Sequence, residues 1–565
     1  MPLAEDAFTE QWFWPLRRTL RARLYFGKTP EERGYRWFDH AMFFANRHAT
    51  PWAITFAFVA THNHFVLDRG GKVFNRSAPV IKLPAGASED DHLKLLGVLN
   101  SSTACFWLKQ NSHNKGSTVD QKGARQTTVA WENFYEFTGT TLQDFPLPKA
   151  LPLESARVLD TLAQELAAQQ VSALFASATP TADLLREAEA KQTSLRGRMV
   201  AQQEELDWEV YRSYGLLDEA LVFDGEPPEV RLGERAFEIV LAWKVAAGEE
   251  DTSWFTRHAS TPITEIPARW PAGYRALVQR RIDAIESVDA IRLLEAPEFK
   301  RRWASESFEK QAERALRDWL LDRLEDRSLW FTSQGQPNPR SVSQLADELG
   351  RNAEFRSVVE LWAKRRDVDL VAALTDLLDP EAVPYLAALR LKDSGLRKFA
   401  EWQRTWALQR REDAGVPVGV IPVPPKYTTA DFRKQSFWSA RGKLDVPKER
   451  FIAYPGAGRE TDRTPLLGWA GWDHAQQSLA LATIIQQRQA EGADDATLIP
   501  LVAGMAELQP WVEQWHSAID PVFGVSPAEF CAEQLRLHSL ELRVTRDDLA
   551  AWRPTPTTRG RRPRA

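Results

Sequence analysis

The run Leu95-Leu96-Gly97-Val98-Leu99-Asn100-Ser101-Ser102 closes an apolar stretch on Asn-Ser-Ser, and the aromatic residues Phe106 and Trp107 follow it. Beyond lies a polar, basic, glycine-containing loop, Lys109 to Gln126, reading KQNSHNKGSTVDQKGARQ. Its side chains are of the kinds that read base edges and phosphates. Asn and Gln suit adenine, whereas Lys and Arg suit guanine or the backbone. The stretch reads as a recognition surface rather than a catalytic centre.

Around this run, the first 150 residues mix helix and strand. Trp12 to Leu24 has helical spacing with arginines on one face, Ala53 to Ala60 is a β-rich apolar run, and Phe65 to Leu67 is short and extended. Lys72 to Leu83 reads as a strand pair between Gly70-Gly71 and Pro84. Ser88 is placed to N-cap a helix carrying Glu89, Asp90 and Asp91 in its first turn. Phe145-Pro146-Leu147-Pro148 ends the zone, because proline neither continues a helix nor sits in a central strand.

Residues 151–222 read as a helical spacer or hairpin, broken near Thr179-Pro180, with a long amphipathic segment from Thr181 to Tyr214 that ends at Gly215. Helical zones follow over 223–415 and 416–550, parted by the proline-rich joint VPVGVIPVPPK from Val416 to Lys426. Residues 551–565 are expected to form a disordered basic tail. The expected fold class is therefore α+β. A mixed N-terminal domain over 1–150 leads into a long helical spacer and a mainly α-helical C-terminal region.

Composition bounds the function. A length of 565 residues suits two to four domains, and the 43% hydrophobic and 26% charged content is that of an ordinary soluble protein. No apolar run approaches the roughly 20 residues of a membrane span, and the N-terminus lacks a signal-peptide pattern. Cys105 and Cys531 lie far apart, which fits a reducing cytoplasm and argues against a disulfide framework or a cysteine-built zinc site. The net charge of -5 does not announce a nucleic-acid partner, but basic residues gather at Arg17, Arg18, Arg21, Arg23 and Lys28, in the loop after Lys109, and in the tail. Solvated faces are the bland reading of these clusters. The 22 tryptophans read as core packing.

The motifs of several chemistries are missing. An S-adenosylmethionine-dependent amino-methyltransferase needs a glycine-rich turn after its first strand and an Asn/Asp/Ser-Pro-Pro-aromatic tetrapeptide. Val423-Pro424-Pro425-Lys426-Tyr427 is only superficially like the second. No Walker A or dinucleotide glycine motif occurs, and nothing distinguishes a nuclease of the Asp…Glu-x-Lys type. His62-Asn63-His64 places two histidines on one face if the segment is a strand. Metal binding, DNA contact and local structure are its three readings. Glu204-Glu205-x-Asp207, beside Trp208 and Tyr211, reads as a capped, solvated helix face in preference to a pair of catalytic carboxylates. No catalytic or metal-ligating residue is assigned.

Longer segments carry a resemblance. THNHFVLDRGGKVFNRSAPVIKLP (Thr61 to Pro84), DDHLKLLGVLNSSTACFWLKQ (Asp90 to Gln110), HNKGSTVDQKGARQ and YEFTGTTLQDFPLP (Tyr135 to Pro148) stand in one order with QEELDWEVYRSYGL (Gln203 to Leu216). ERAFEIVLAWKVAAGEE, IPVPPKYTTADF, GKLDVPKERFIAYP and GWAGWDHAQQ continue it nearly to the end. Together they resemble the C-terminal half of the PglX family, the adenine-specific DNA methyltransferases of BREX phage-exclusion systems. The helix ending in Leu-Asn-Ser is by itself similar to a feature of target-recognition domains in type I and type IIG restriction-modification proteins.

The resemblance implies a DNA target-recognition domain over 1–150 followed by helical regions, working with a methyltransferase half that binds S-adenosylmethionine. That half precedes the matching region in the family, so the chain is expected to be a truncated or split form, or a separate specificity subunit, holding no cofactor of its own. The expected partners are double-stranded DNA, the methyltransferase half and other subunits of the defence complex. Asn111, Asn114, Gln121, Arg125 and Gln126 are the candidate base readers, and Lys109, Lys115 and Lys122 the candidate phosphate contacts. Asn100, Ser101, His113, His62 and His64 complete the candidate surface. A scaffold that reads no DNA, or an idle remnant of a split gene, is the alternative.

Overall fold

A computed structural model describes residues 7–40, 50–117, 129–521 and 524–555. Expectations for Gln121, Lys122, Arg125, Gln126 and most of the basic tail fall outside these residues. The chain forms two compact units, one of Met1–Phe43 with Glu313–Ala565 and one of Phe44–Ala312. Small sheets and many helices make the fold mixed α+β, rich in helix toward the C-terminus.

In the unit of Phe44–Ala312, β1 (Ala53–Phe56) lies between β3 (Phe65–Asp68) and β4 (Val80–Ile81), both antiparallel to it. β2 (Val59–Ala60) and β5 (His113–Gly116) flank β6 (Phe134–Glu136) in a second antiparallel sheet. The strand pair expected over Lys72 to Leu83 reduces to β4 alone. Asn75 folds the chain first, its Oδ1 accepting the Ser77 N–H at 2.9 Å and its carbonyl accepting the Ala78 N–H at 3.0 Å. Such an Asx turn supplies the hydrogen bonds that a strand ladder would otherwise take.

Helix α1 (Glu89–Leu99) begins at Ser88, whose hydroxyl and the Asp91 carboxylate form a reciprocal capping box. Its Leu93, Leu96 and Leu99 join Ile54, Phe56, Phe65 and Leu67 in one core. Gly97 lets α1 lie against α3 (Leu153–Ala168), since an added Cβ would stand 2.9 Å from the Ala156 Cβ. Between them in the chain runs α2 (Ser102–Asn111). Helix α4 (Ala182–Ser213) starts on a Thr181 cap and stops where Gly215 turns to φ +71°. It packs against α3 through Leu162, Leu195 and Met199, completing a helical hairpin. Trp208 and Tyr211 then enter a core with α5 (Ala236–Ala246) and α6 (Ala272–Ser287).

In the other unit, the helix expected over Trp12 to Leu24 is broken. Ala7–Phe13 and Arg17–Arg21 are helical, with a 3-10 turn at Trp14–Leu16, because Pro15 brings no N–H to a continuous helix. Its arginine face is not solvated. Arg17 is buried, 2.7 Å from Asp413 and 3.2 Å from Glu412, and Arg18 also pairs with Glu412. A four-stranded sheet of Arg340–Ser341, Leu466–Trp469, Phe451–Ala453 and Ala382–Pro384 is antiparallel except for its last pair. Trp330 and Trp402 are fully buried in this unit, as Trp208 and Trp254 are in the other. Among the described residues, no helix is long and apolar enough to cross a membrane.

Candidate nucleic-acid interface

Two helices meet at Asn100-Ser101. Asn100 closes α1: its Nδ2 donates to Leu96 O at 3.1 Å and Phe65 O at 3.0 Å, and its Oδ1 accepts the Phe65 N–H at 3.1 Å. Ser101 caps α2, accepting the Ala104 N–H at 3.1 Å while donating to Val98 O at 2.7 Å. Both residues are buried. Their polar atoms are taken up by hydrogen bonds within the fold. A buried amide must satisfy itself locally, and here it fastens β3 to the helix pair.

Beneath α2 lies a closed charged cluster. Asp207 on α4 accepts both the Ser102 N–H at 2.8 Å and the Ser102 hydroxyl at 2.7 Å, so a carboxylate sits at the N-terminus of α2. Lys300 Nζ reaches Asp207 at 2.9 Å, Glu295 at 2.8 Å and Glu204 at 3.2 Å. Arg281 Nη2 lies 2.7 Å from Glu205. Glu204, Glu205 and Asp207 are all buried, so the reading of a solvated helix face is wrong. Their partners come from distant positions, and no local pattern announces them. Burial pushes the Glu204 carboxyl up to about 7, against the pull of Lys300. Closed to solvent, the cluster presents no group to a substrate.

Over this base stand the other candidates. His62-Asn63-His64 is not a strand. His62 is buried, with Nδ1 3.1 Å from Asn63 O and Nε2 3.2 Å from Phe299 O, and the exposed His64 ring centroid is 5.4 Å from its own. Burial, then His64, Lys109 and Arg302, hold the His62 imidazole well below its ordinary range. No cluster of three or more His, Cys, Asp or Glu suited to a metal occurs among the described residues. Lys109 is buried, donating to Glu298 O at 2.6 Å, with its ammonium 5.3 Å from the Tyr135 ring centroid and 5.8 Å from that of Phe299.

The exposed part of the candidate surface is β5 and the turn before it. Asn111 donates to Trp107 O at 2.8 Å, finishing α2. His113, Asn114 and Lys115 are exposed on β5, paired to β6 with a register shift before Gly116. Asn114 Oδ1 accepts the Gly116 N–H at 2.7 Å, and Lys115 pairs with Glu136. The strand thus carries polar side chains up to Ser117, where the described residues pause before Val129.

Two residues absent from the sequence expectations reach Asn100 and Thr61. Arg301 Nη1 donates to Asn100 Oδ1 at 3.1 Å, and Arg302 Nη1 donates to Thr61 Oγ1 at 2.7 Å. The run Lys300-Arg301-Arg302-Trp303, basic and ending on an aromatic residue, was the available signal.

Comparison with known proteins adds an independent line. The family described as a domain of unknown function, DUF7008, matches residues 199–563. The adenine-specific methyltransferase PglX of Streptomyces coelicolor is 50% identical over 574 aligned positions, taking in 99% of this chain and 47% of that protein. The chain thus spans about half the length of the curated relative it matches. No solved structure matches it. With the family match extending over more than half of its residues, the chain belongs to the DUF7008 family and is related to the adenine-specific methyltransferase PglX.

Proposed function

We propose that this chain is the DNA-recognition part of a BREX-type N6-adenine methyltransferase, a cytoplasmic phage-defence protein, and carries no methyl-transfer chemistry itself. The observation that carries the reading is the 50% identity to PglX along 99% of the chain. The strand His113–Gly116, whose His113, Asn114 and Lys115 are exposed and which is followed in sequence by a basic, amide-rich stretch, supports it. In this reading Asn111, Asn114, Gln121, Arg125 and Gln126 read base edges in the major groove, and Lys115 and Lys122 neutralise phosphates. S-adenosylmethionine belongs to a methyltransferase half that docks beside this surface, because an adenine must leave the stack to be methylated.

The test is retention of a randomised duplex pool by the purified chain at several salt concentrations, followed by sequencing. A short adenine-containing motif, bound with an affinity that falls steeply with salt, is expected. Motif-free binding by the chain together with its methyltransferase half overturns the reading. A scaffold role is the second reading, favoured by the exposed Phe530, Leu537 and Leu540 along helix Pro527–Glu541.

A further inference from the structure

The segment from Glu298 to Trp303 lies against α2 and His62, and it distributes its cations unequally. Lys300 turns into the carboxylate cluster and is fully paired. Arg301 and Arg302 turn the other way, toward Asn100 and Thr61, where Lys109 also lies. None of Arg301, Arg302 and Lys109 has an ion-pair partner among the described residues. The carboxylates that act on Arg302 from a distance are Glu132 and Glu298, and the one acting on Arg301 is Asp207. Glu132 is paired with Arg257, and Asp207 with Lys300.

Three unpaired cations in a half-buried setting are costly, and proteins keep such charges where a ligand completes them. Arg302 is the most informative. Its Nη1 holds Thr61, while its Nε and Nη2, the two donors on one edge of the guanidinium, are buried without a partner. That edge is the one that grips a phosphate or carboxylate through two parallel hydrogen bonds. The Trp131 ring backs the guanidinium, 5.6 Å from its Cζ. Trp303 likewise flanks Arg301 at 5.1 Å. His62 and His64 stand beside the group, and burial first, then the neighbouring cations, lowers both imidazoles, so neither adds a negative charge that would compete with an anion.

We propose that Arg301, Arg302 and Lys109 form an anion site that takes a backbone phosphate of double-stranded DNA, anchoring the duplex next to the strand His113–Gly116. The inference rests on the DNA-recognition reading and gives it a sequence-independent anchor outside residues 109–126 for two of its three members. The Nε and Nη2 atoms of Arg302 are shielded from solvent, whereas the residue as a whole is half-buried. Arg301, half-buried, meets the phosphate first.

The experiment compares the full chain with Arg301→Gln and Arg302→Gln for binding to duplex DNA across a series of salt concentrations, with thermal melting of each variant recorded. Each variant is expected to lose about tenfold in affinity on every sequence alike and to reduce the slope of log K against log salt by about one. Arg302→Lys keeps the charge but loses the two-donor edge, and it is expected to keep the slope while losing affinity. Variants that melt as the parent does and keep its slope overturn the phosphate site while leaving DNA recognition standing. The same melting measurement with inorganic phosphate separates the two ideas. Parent protein that binds no DNA, yet is stabilised by phosphate ion in an Arg301-dependent way, overturns the DNA source and leaves an anion site. Absence of both effects overturns the site altogether.

Discussion

Lys300 and Asp207, 93 positions apart in the chain, meet in a closed core with Nζ 2.9 Å from Oδ2. The same Asp207 carboxylate holds both the backbone N–H and the hydroxyl of Ser102. One carboxylate therefore links the start of α2, the long helix α4 and the segment that carries Arg301 and Arg302. The placement of the candidate surface depends on this link.

Replacement of Lys300 leaves Glu204, Asp207 and Glu295 facing one another without their shared cation. Lys300→Met is expected to cost about 3–5 kcal/mol of stability, the range for breaking a buried pair from one side. Denaturant unfolding checks it, and a loss below about 1 kcal/mol would show that the cluster relaxes or hydrates.

The raised Glu204 carboxyl gives a pH dependence with a definite sign. Its value moves from 4.5 to about 7 on folding, through burial first and the neighbouring Glu295 and Asp207 charges in part, against Lys300. The folded state then holds the proton more tightly. This contribution to stability is complete below about pH 4.5 and is lost as pH rises through about 7. Glu204→Gln is expected to flatten the fall in unfolding free energy across that window. An equally steep fall in the variant would remove Glu204 as its source.

Asn100 has a structural task, and its variant separates that task from base reading. Asn100→Ala abandons the bonds to Leu96 and Phe65 and is expected to destabilise the chain by about 1–3 kcal/mol. Any DNA affinity should fall equally on all sequences. A change confined to one base pair in the sequenced pool would instead restore Asn100 to the recognition surface.

The exposed strand offers the complementary case. Asn114→Ala should relax preference at one base pair by about 1–3 kcal/mol. Lys115→Ala should weaken all sequences and lower the salt slope by about one. Its exposed pairing with Glu136 contributes little to stability, so melting should barely move. A Lys115 variant with the parent slope ends its phosphate role.

Elements written in local chemistry were legible in advance. The Ser88 cap and the stop at Gly215 each lie within a few residues of the helix they bound. The loss of the strand pair over Lys72 to Leu83 came from a single Asx turn at Asn75, a competition that alternating apolar residues do not display. The two histidines of His62-Asn63-His64 would share one face only in a strand, and the segment is not one, since Asn63 donates to the carbonyls of Leu99 and Ser101 instead.

By itself the sequence determined the mixed α+β class, the start of α1 at Ser88, the stop of α4 at Gly215, and the kinship to an adenine-specific methyltransferase. These rest on short-range patterns or on collinear identity along the whole chain. Only the tertiary structure decided which charges are buried and with whom. Glu205 finds Arg281 76 positions away, Asp207 finds Lys300 across 93, and Arg17 finds Asp413 across 396. A carboxylate on an amphipathic helix looks the same in sequence whether water or a distant lysine neutralises it. The energies differ by several kcal/mol, and that difference exists only once the partner has been brought into contact.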